Sequence, residues 1–247
     1  MGLAAAPWIG FLGIALKPSP RRMWKQRWPT ITFVGLYQIA LHRCVEIEGL
    51  ENIPASGPVI LAGNHINKFG NDALLIGSKF LVERGCLPKF VSQSDPPDRM
   101  LQHFLRLMGN PDGVILPIRK GMTTGAMVDF LRNPQAFGRE QAILGIFPAG
   151  FADRNFNDQM NRLWHTSAAV AACQTGALIV PFCIEGLPYN WGPSDMLKAA
   201  SRSFVGGKAF RFKIRLGVSL VPAPGETDHV QLTERVRQAV LRLASAL

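Results

Sequence analysis

The chain of 247 residues has little cysteine: Cys44, Cys86, Cys173 and Cys183 stand far apart, with no CxxC pair and no histidine at metal-ligand spacing. That excludes a disulfide framework and a zinc cluster, and the thiols read as reduced and cytosolic. Acidic residues are scarce as well, 17 against 27 Lys and Arg, which leaves a net charge of +10. Such a balance attracts an anionic partner, whether nucleic acid, a phosphate ligand or a membrane surface. No apolar run reaches the roughly twenty residues that one helix needs to cross a hydrocarbon core; residues 3–16 supply only about fourteen. Also absent are a GxSxG elbow, HExxH, GxxxxGK(S/T) and a GxGxxG after a strand, so the familiar hydrolase, zincin and nucleotide-binding readings lose their main support. What is there, 47% hydrophobic and 18% charged residues, suits one large globular domain with at most a short appendage.

The basic residues are unevenly placed. Lys17, Arg21, Arg22, Lys25, Arg27 and Arg43 all precede Glu46, the first acidic residue. The apolar stretch 3–16 comes before this basic group, whereas a signal peptide carries its charge first, so the segment is expected to stay in the mature protein. Trp24, Trp28, Phe33 and Tyr37 are interleaved with the cations, the composition of an interfacial segment with rings at headgroup depth and cations on lipid phosphates. Two short helices broken around Pro18, Pro20 and Pro29 would make a membrane-resting hairpin; two amphipathic helices packed on the core would show the same pattern. No RNP, zinc-finger or extended basic helix supports nucleic-acid binding. The expected organisation is an N-terminal interfacial helical segment, 1–45, followed by one domain, 46–247.

From residue 46 short apolar runs alternate with helical patterns. The runs 58–62, 89–92, 113–118, 143–147, 177–183 and 212–220 read as strands, several apolar on both faces. Helices are expected near 72–84, 97–108, 122–132, 161–175 and 226–245, with residues 109–113 turning into a strand and Thr227 or Asp228 capping the last helix. The fold class is therefore α/β, a single mostly parallel or mixed β-sheet flanked by helices, with the N-terminal hairpin beside it.

The first strong strand runs into Gly63, Asn64 and His65, and a helix follows from Asp72. Polar segments at a strand's carboxyl end are where open α/β sheets hold ligands. On one unbroken helix a separation of seven residues is about 10 Å along the axis, too far for a hydrogen bond. Contact between His65 and Asp72 thus requires a bend, which Gly70 permits, with Asn71 as a candidate N-cap. Folded back, the carboxylate would orient the imidazole as a base for a substrate hydroxyl; unfolded, His65 is a solvated loop residue and Asp72 serves only the helix start. From the two residues alone both remain open.

The surrounding residues decide by resemblance. The string VEIEGLENIPASGPVILAGNHINKFGNDALL resembles the PlsC-type glycerolipid acyltransferases, the lysophospholipid acyltransferase superfamily, in which a strand ends in NH and an Asp follows shortly. GVILPIR at 113–119, FPAG at 147–150 and IVPF at 179–182 are similar to the family's second, third and fourth blocks, in the family's order. The resemblance implies His65 and Asp72 as the catalytic pair, Arg119 as a ligand of the acceptor's phosphate, and Gly150 in the acceptor-binding third block. Arg154, just after that block, and Lys68, inside the first, are further acceptor-binding candidates; a solvated ion pair of Arg154 with Asp153 and simple loop exposure of Lys68 explain them equally well. Two departures stand out. Six residues separate His65 from Asp72 where the usual box is HxxxxD, and Ala149 stands where the third block usually has Glu. A haemolysin-like branch associated with ornithine-lipid acylation also writes FPAG followed by Arg and then Trp, here Arg154 and Trp164.

The implied activity is O-acyl transfer at the cytoplasmic face of a membrane, from acyl-CoA or acyl carrier protein as co-substrate, with no other cofactor and no metal. The acceptor is a lysophospholipid such as 1-acylglycerol-3-phosphate, or a lyso-ornithine lipid. The rival from another class is a non-catalytic membrane-binding module whose site has decayed. Membrane lipids and the acyl carrier are the expected partners. Cys183, in an apolar strand, reads as an inert buried thiol.

Overall fold

Alternation of side chains along the central strands sorts the core into two apolar layers with a sheet between them. The computed structural model describes residues 45–93, 115–118, 123–192, 194–195, 198 and 212–245. The expectations for 1–44, for a helix at 97–108, for the turn at 109–113 and for Arg119 lie outside the described residues. Among those described, seven strands form one sheet: β1 (Val45–Glu48), β2 (Val59–Gly63), β3 (Lys89–Gln93), β4 (Ile115–Ile118), β5 (Ile143–Ile146), β6 (Leu178–Glu185) and β7 (Phe212–Leu216). Their order is β1-β7-β6-β2-β5-β3-β4. Every pairing is parallel except β6 with β7, so the sheet is mixed.

Strand β2 sits near the middle and is buried at all five positions. Its Val59 and Leu61 meet Val180, Phe182 and helix α1 (Asn71–Arg84), which supplies Leu75, Ile76 and Phe80. Ile60 and Ala62 face the other way, with Leu144, Ile146 and Ile179, toward α2 (Thr123–Arg132), α4 (Ser167–Thr175) and α5 (His229–Ser245). The period of two assigns neighbouring residues of one strand to opposite layers. Full burial of one large apolar side chain contributes about 1.5–3 kcal/mol, and Phe80 and Phe130, one in each layer, are both fully buried.

The connections explain where a site can form. From β2 the chain crosses through α1 to β3 on one side of the centre; from β5 it crosses to β6 on the other. Adjacent strands whose crossovers diverge open a crevice beyond their carboxyl ends. Two glycines let that region pack closely. A Cβ at Gly63 would collide with the carbonyl oxygen and ring of Phe182, and one at Gly145 with the ring of Phe90.

Four expectations are corrected. A strand at 45–48 was not expected; Val45 to Glu48 alternate apolar and acidic residues and pair with β7, Val45 opposite Phe212, so residue 45 belongs to the body. The helix expected at 161–175 is two: α3 (Phe156–Asn161) starts where the Asn155 side chain accepts from the Asn157 amide, and Arg162 turns extended at φ −80 and ψ 160. The break carries Trp164 into the core. The strand expected to reach residue 220 stops at Leu216 and resumes only as a bridge between Leu220 and Ile179. The last helix begins at His229, capped by Asp228, whose carboxylate accepts from the Gln231 amide at 2.8 Å.

Candidate active site

The loop 64–70 between β2 and α1 holds three asparagines by which side chains stand in for backbone, counting Asn71 at the helix start. Asn64 continues the sheet after β2 ends: its Nδ2 donates to the Ile184 carbonyl at 2.9 Å and its Oδ1 accepts from the Ile184 amide at 2.8 Å. Asn67 Oδ1 accepts from the amides of Phe69 at 2.9 Å and Asn71 at 3.3 Å, while its Nδ2 reaches the Trp191 carbonyl at 2.9 Å. Asn71 Nδ2 donates to the same carbonyl at 2.6 Å, so Asn71 ties α1 to the loop after β6 and does not act as the N-cap. Buried amides with all their partners fix a loop as firmly as a strand ladder does.

This scaffold bends the chain as the lengthened box requires. Gly70 takes φ +73, and His65 Nδ1 lies 2.5 Å from Asp72 Oδ2. The carboxylate is completely buried, whereas the imidazole keeps 17% of its side-chain exposure. Oδ2 also accepts from the amides of Ile66 at 3.0 Å and Asn67 at 3.2 Å, and Oδ1 from that of Ala73 at 3.1 Å. Three N–H donors and the start of α1 therefore stabilise charge on Asp72. With Nδ1 committed to Asp72, Nε2 is the ring nitrogen left for a substrate.

Sequence reasoning missed what holds the imidazole from below and behind. Its ring stacks on Phe147 with centroids 4.1 Å apart and planes 14° apart, and Phe147 in turn stacks on Phe90 at 5.6 Å. Gln159, fully buried in α3, closes two hydrogen bonds on the backbone of His65: its Oε1 accepts from the His65 amide at 2.9 Å and its Nε2 donates to the His65 carbonyl. The Asp153 amide donates to that same carbonyl at 3.0 Å. Trp164 fastens α3 by donating to the Gln159 carbonyl at 3.1 Å. A buried Gln is its own signal, since both ends of its amide need partners, but burial here follows from the break after α3 and not from periodicity.

The remaining candidates divide. Gly150 ends a tight turn at φ +86, where its amide donates to the Phe147 carbonyl at 2.9 Å. That amide is thus taken within the turn, and a Cβ there would come within 3.3 Å of His165 Nε2. Asp153 pairs with Arg162 at 3.1 Å and not with its neighbour Arg154. Arg154 instead lies over the Tyr189 ring at 4.9 Å, and the Lys68 ammonium stands 4.9 Å from the Phe69 centroid and 6.0 Å from that of Tyr189. One tyrosine from the loop after β6 thereby gathers two cations from two other loops. Arg119 is not among the described residues. Cys183 is fully buried and its thiol is pushed up to about 12, first by burial and then by Glu185, which removes it as a nucleophile. Among the described residues no three His, Cys, Asp or Glu side chains group as metal ligands.

The arrangement presents an oriented imidazole at the mouth of a sheet with cations beside it, suited to taking a proton from a hydroxyl on an anionic molecule. Comparison with known proteins bears on the family. No curated protein matches the chain. Six chains of solved structures do. One is the 1-acyl-sn-glycerophosphate (LPA) acyltransferase PlsC from Thermotoga maritima, 15% identical, with a TM-score of 0.53 over 96% of this chain and 88% of that one. At that identity the likeness shows a shared fold, the PlsC α/β fold. A family model described as Acyltransferase matches residues 44–185. That stretch runs from β1 to the end of β6, takes in His65, Asp72, Phe147 and Gln159, and covers more than half of the sequence; the chain belongs to the acyltransferase family.

Proposed function

We propose that the protein moves a fatty acyl group from a thioester of coenzyme A or acyl carrier protein to the hydroxyl of a lysophospholipid-type acceptor, 1-acylglycerol-3-phosphate or a close relative. The observation that carries this reading is the 2.5 Å contact of His65 Nδ1 with a buried carboxylate, which leaves Nε2 for the acceptor. Asp72 keeps the proton on Nδ1, so Nε2 takes the hydroxyl proton as the oxygen attacks the thioester carbon. A carbon–oxygen bond forms, the carbon–sulfur bond breaks, and the imidazolium returns the proton to the departing thiolate. The thioester is already activated, so no covalent enzyme intermediate is needed. Arg119, Lys68 and Arg154 are assigned to the acceptor's anionic headgroup, the last two supported by their convergence on Tyr189. Gly150 serves through its turn. Residues 1–44 rest on the cytoplasmic face of the membrane and keep the enzyme beside its amphiphilic substrates.

A second acceptor, a lyso-ornithine lipid, is favoured by one observation. Ala149 is 4% exposed and packs in the apolar layer with Ala62 and Trp164, so the position that usually carries a Glu offers the acceptor no carboxylate here. The test is to supply radiolabelled acyl-CoA and acyl carrier protein with each acceptor and separate the lipids. Labelled diacyl product that disappears with His65→Ala is expected. Unchanged transfer by His65→Ala, no transfer by the wild type with any donor, or release of free fatty acid alone would overturn the proposal.

A further inference from the structure

Helix α3 has six residues, too few to keep its shape in water without outside partners, yet its Gln159 holds the backbone of His65. What fixes α3 therefore matters to the site. Asn155 caps its start, and buried Met160 roots it in the apolar layer with Trp164, Val236 and Val240. At its other end the last carbonyls have no partners within the helix. The Gln159 carbonyl accepts from the Arg162 amide at 3.4 Å and from the Trp164 indole at 3.1 Å. The Met160 carbonyl accepts from farther away in the chain, from Nη1 of Arg237 on α5. That guanidinium is set for the contact. Its Nε donates to Glu234 Oε2 at 2.7 Å and its Nη2 to Oε1 at 2.6 Å, and Oε1 also accepts from Gln238 at 2.8 Å. A planar fork gripped at two nitrogens has its third one aimed. Hydrogen bonding to Arg237, then to Gln238, pushes the Glu234 carboxyl down to about 2, so the grip holds across the neutral range.

From this path we infer that Arg237 is a positioning residue for His65. Through the Met160 carbonyl it sets α3, and through Gln159 the helix sets the backbone that carries the imidazole. Helix α5 packs on β6, α4 and β2, and β2 is the strand that runs into His65. Both ends of the path are thus tied to one body, and Arg237 closes the loop between them. The closure comes from outside the acyltransferase-family stretch 44–185, because α5 begins only at His229. Arg237 acts by geometry and takes no part in moving the proton. Its effect on rate rests on the acyl-transfer reading; its effect on the imidazole does not.

The full chain is read in two ways: acyl transfer from acyl-CoA to detergent-dispersed 1-acylglycerol-3-phosphate, and the downfield proton resonance of His65 Nδ1, assigned by its disappearance in His65→Ala. Arg237→Met is expected to lower kcat by about fivefold with KM within about twofold, and to move that resonance upfield. In a Gln159→Leu background the same change is expected to lower kcat by less than about twofold more, because the path is already cut. Arg237→Lys is expected to return kcat to within about twofold of wild type, since one donor serves one carbonyl. Arg235→Met removes a neighbouring cation that pairs with Glu226 at 3.0 Å, and should leave both readings unchanged. Glu234→Ala, at a side chain 48% exposed, frees the guanidinium without opening the core and should shift the resonance the same way by less. A lower Tm with kcat and resonance unmoved, a fully multiplied loss in the double variant, or a change confined to KM overturns the inference. Should Arg237→Met not fold, Glu234→Ala decides, and an unmoved resonance there overturns it. If the wild type transfers no acyl group but Arg237→Met still moves the resonance, the positioning stands and the acyl-transfer reading falls. Wild-type transfer with rate and resonance indifferent to Arg237 keeps that reading and sinks the positioning.

Discussion

Two of the clusters of buried charge among the described residues contrast, since only one of them is closed on all sides. At the sheet's far edge Arg215 donates from Nε to Glu48 at 3.2 Å and from Nη1 to Glu185 and to the Leu243 carbonyl, both at 2.8 Å, while Lys213 meets Glu48 at 2.7 Å. That cluster sews β1, β7, β6 and the end of α5 together. At the mouth, Asp72 is equally surrounded, yet the chain of bonds stops at an imidazole whose second nitrogen makes no hydrogen bond among the described residues. A network closed on all sides supports the fold; one left open by a single proton acceptor supports chemistry.

The sharpest test of that contrast is His65→Ala. Loss of the proposed general base is expected to lower acyl transfer by about a thousandfold, with the far-ultraviolet circular dichroism unchanged; a loss under tenfold breaks the comparison. Its mirror image is Arg215→Met, which leaves partly buried Glu185 unpaired. Breaking such a pair costs about 3 kcal/mol, and for a chain of this size that lowers Tm by roughly 6–12 °C, while kcat at 25 °C stays within about twofold of wild type. If activity falls before stability does, the edge is not merely structural.

Gln159→Leu should fall between the two, because it touches the fold and the site at once. Orphaning the His65 amide costs about 2 kcal/mol. The loosened backbone is expected to reduce kcat by about tenfold through misplacement of the ring, with KM little changed. A pure KM effect would assign Gln159 to substrate binding instead. The smallest effect belongs to Glu48→Gln. Hydrogen bonding to Lys213, then its charge and that of Arg215, hold the Glu48 carboxyl below its ordinary value of 4.5. Its contribution is present above that value and fades as pH falls through the lowered one, so the difference in Tm between wild type and variant should shrink on acidification. A difference that grows instead would reverse the assigned sign.

How far these features could be read in advance differs by distance along the chain. His65, Asp72 and the bend between them lie within eight residues, and the NH at a strand end with a glycine before the Asp was enough to frame the question. The buried strands were equally plain, since VILAG and IVPFCI are apolar on both faces. Gln159 lies 94 residues from the backbone it holds, and Asn67 is 124 from Trp191. Such pairings follow from the order β6-β2-β5, which no local pattern displays. The ion pair with Asp153 that was one reading of Arg154 does not form, for a related reason: adjacent residues leave an extended backbone in opposite directions, and the turn after α3 brings Arg162 to the carboxylate. β1 was overlooked because its two glutamates look like loop residues until Arg215 and Lys213 are seen opposite them.

The absent methyl at Gly145 has reach beyond its own strand. Phe90 fills the hollow it leaves, Phe147 leans on Phe90, and the imidazole leans on Phe147. One added carbon there is expected to travel up this column of rings and tilt His65 away from Asp72, from a position that reaches the imidazole only through two phenylalanines. Screens for altered selectivity are therefore apt to recover changes on the floor of the sheet, where bulk can be dialled in small steps, as readily as at the opening.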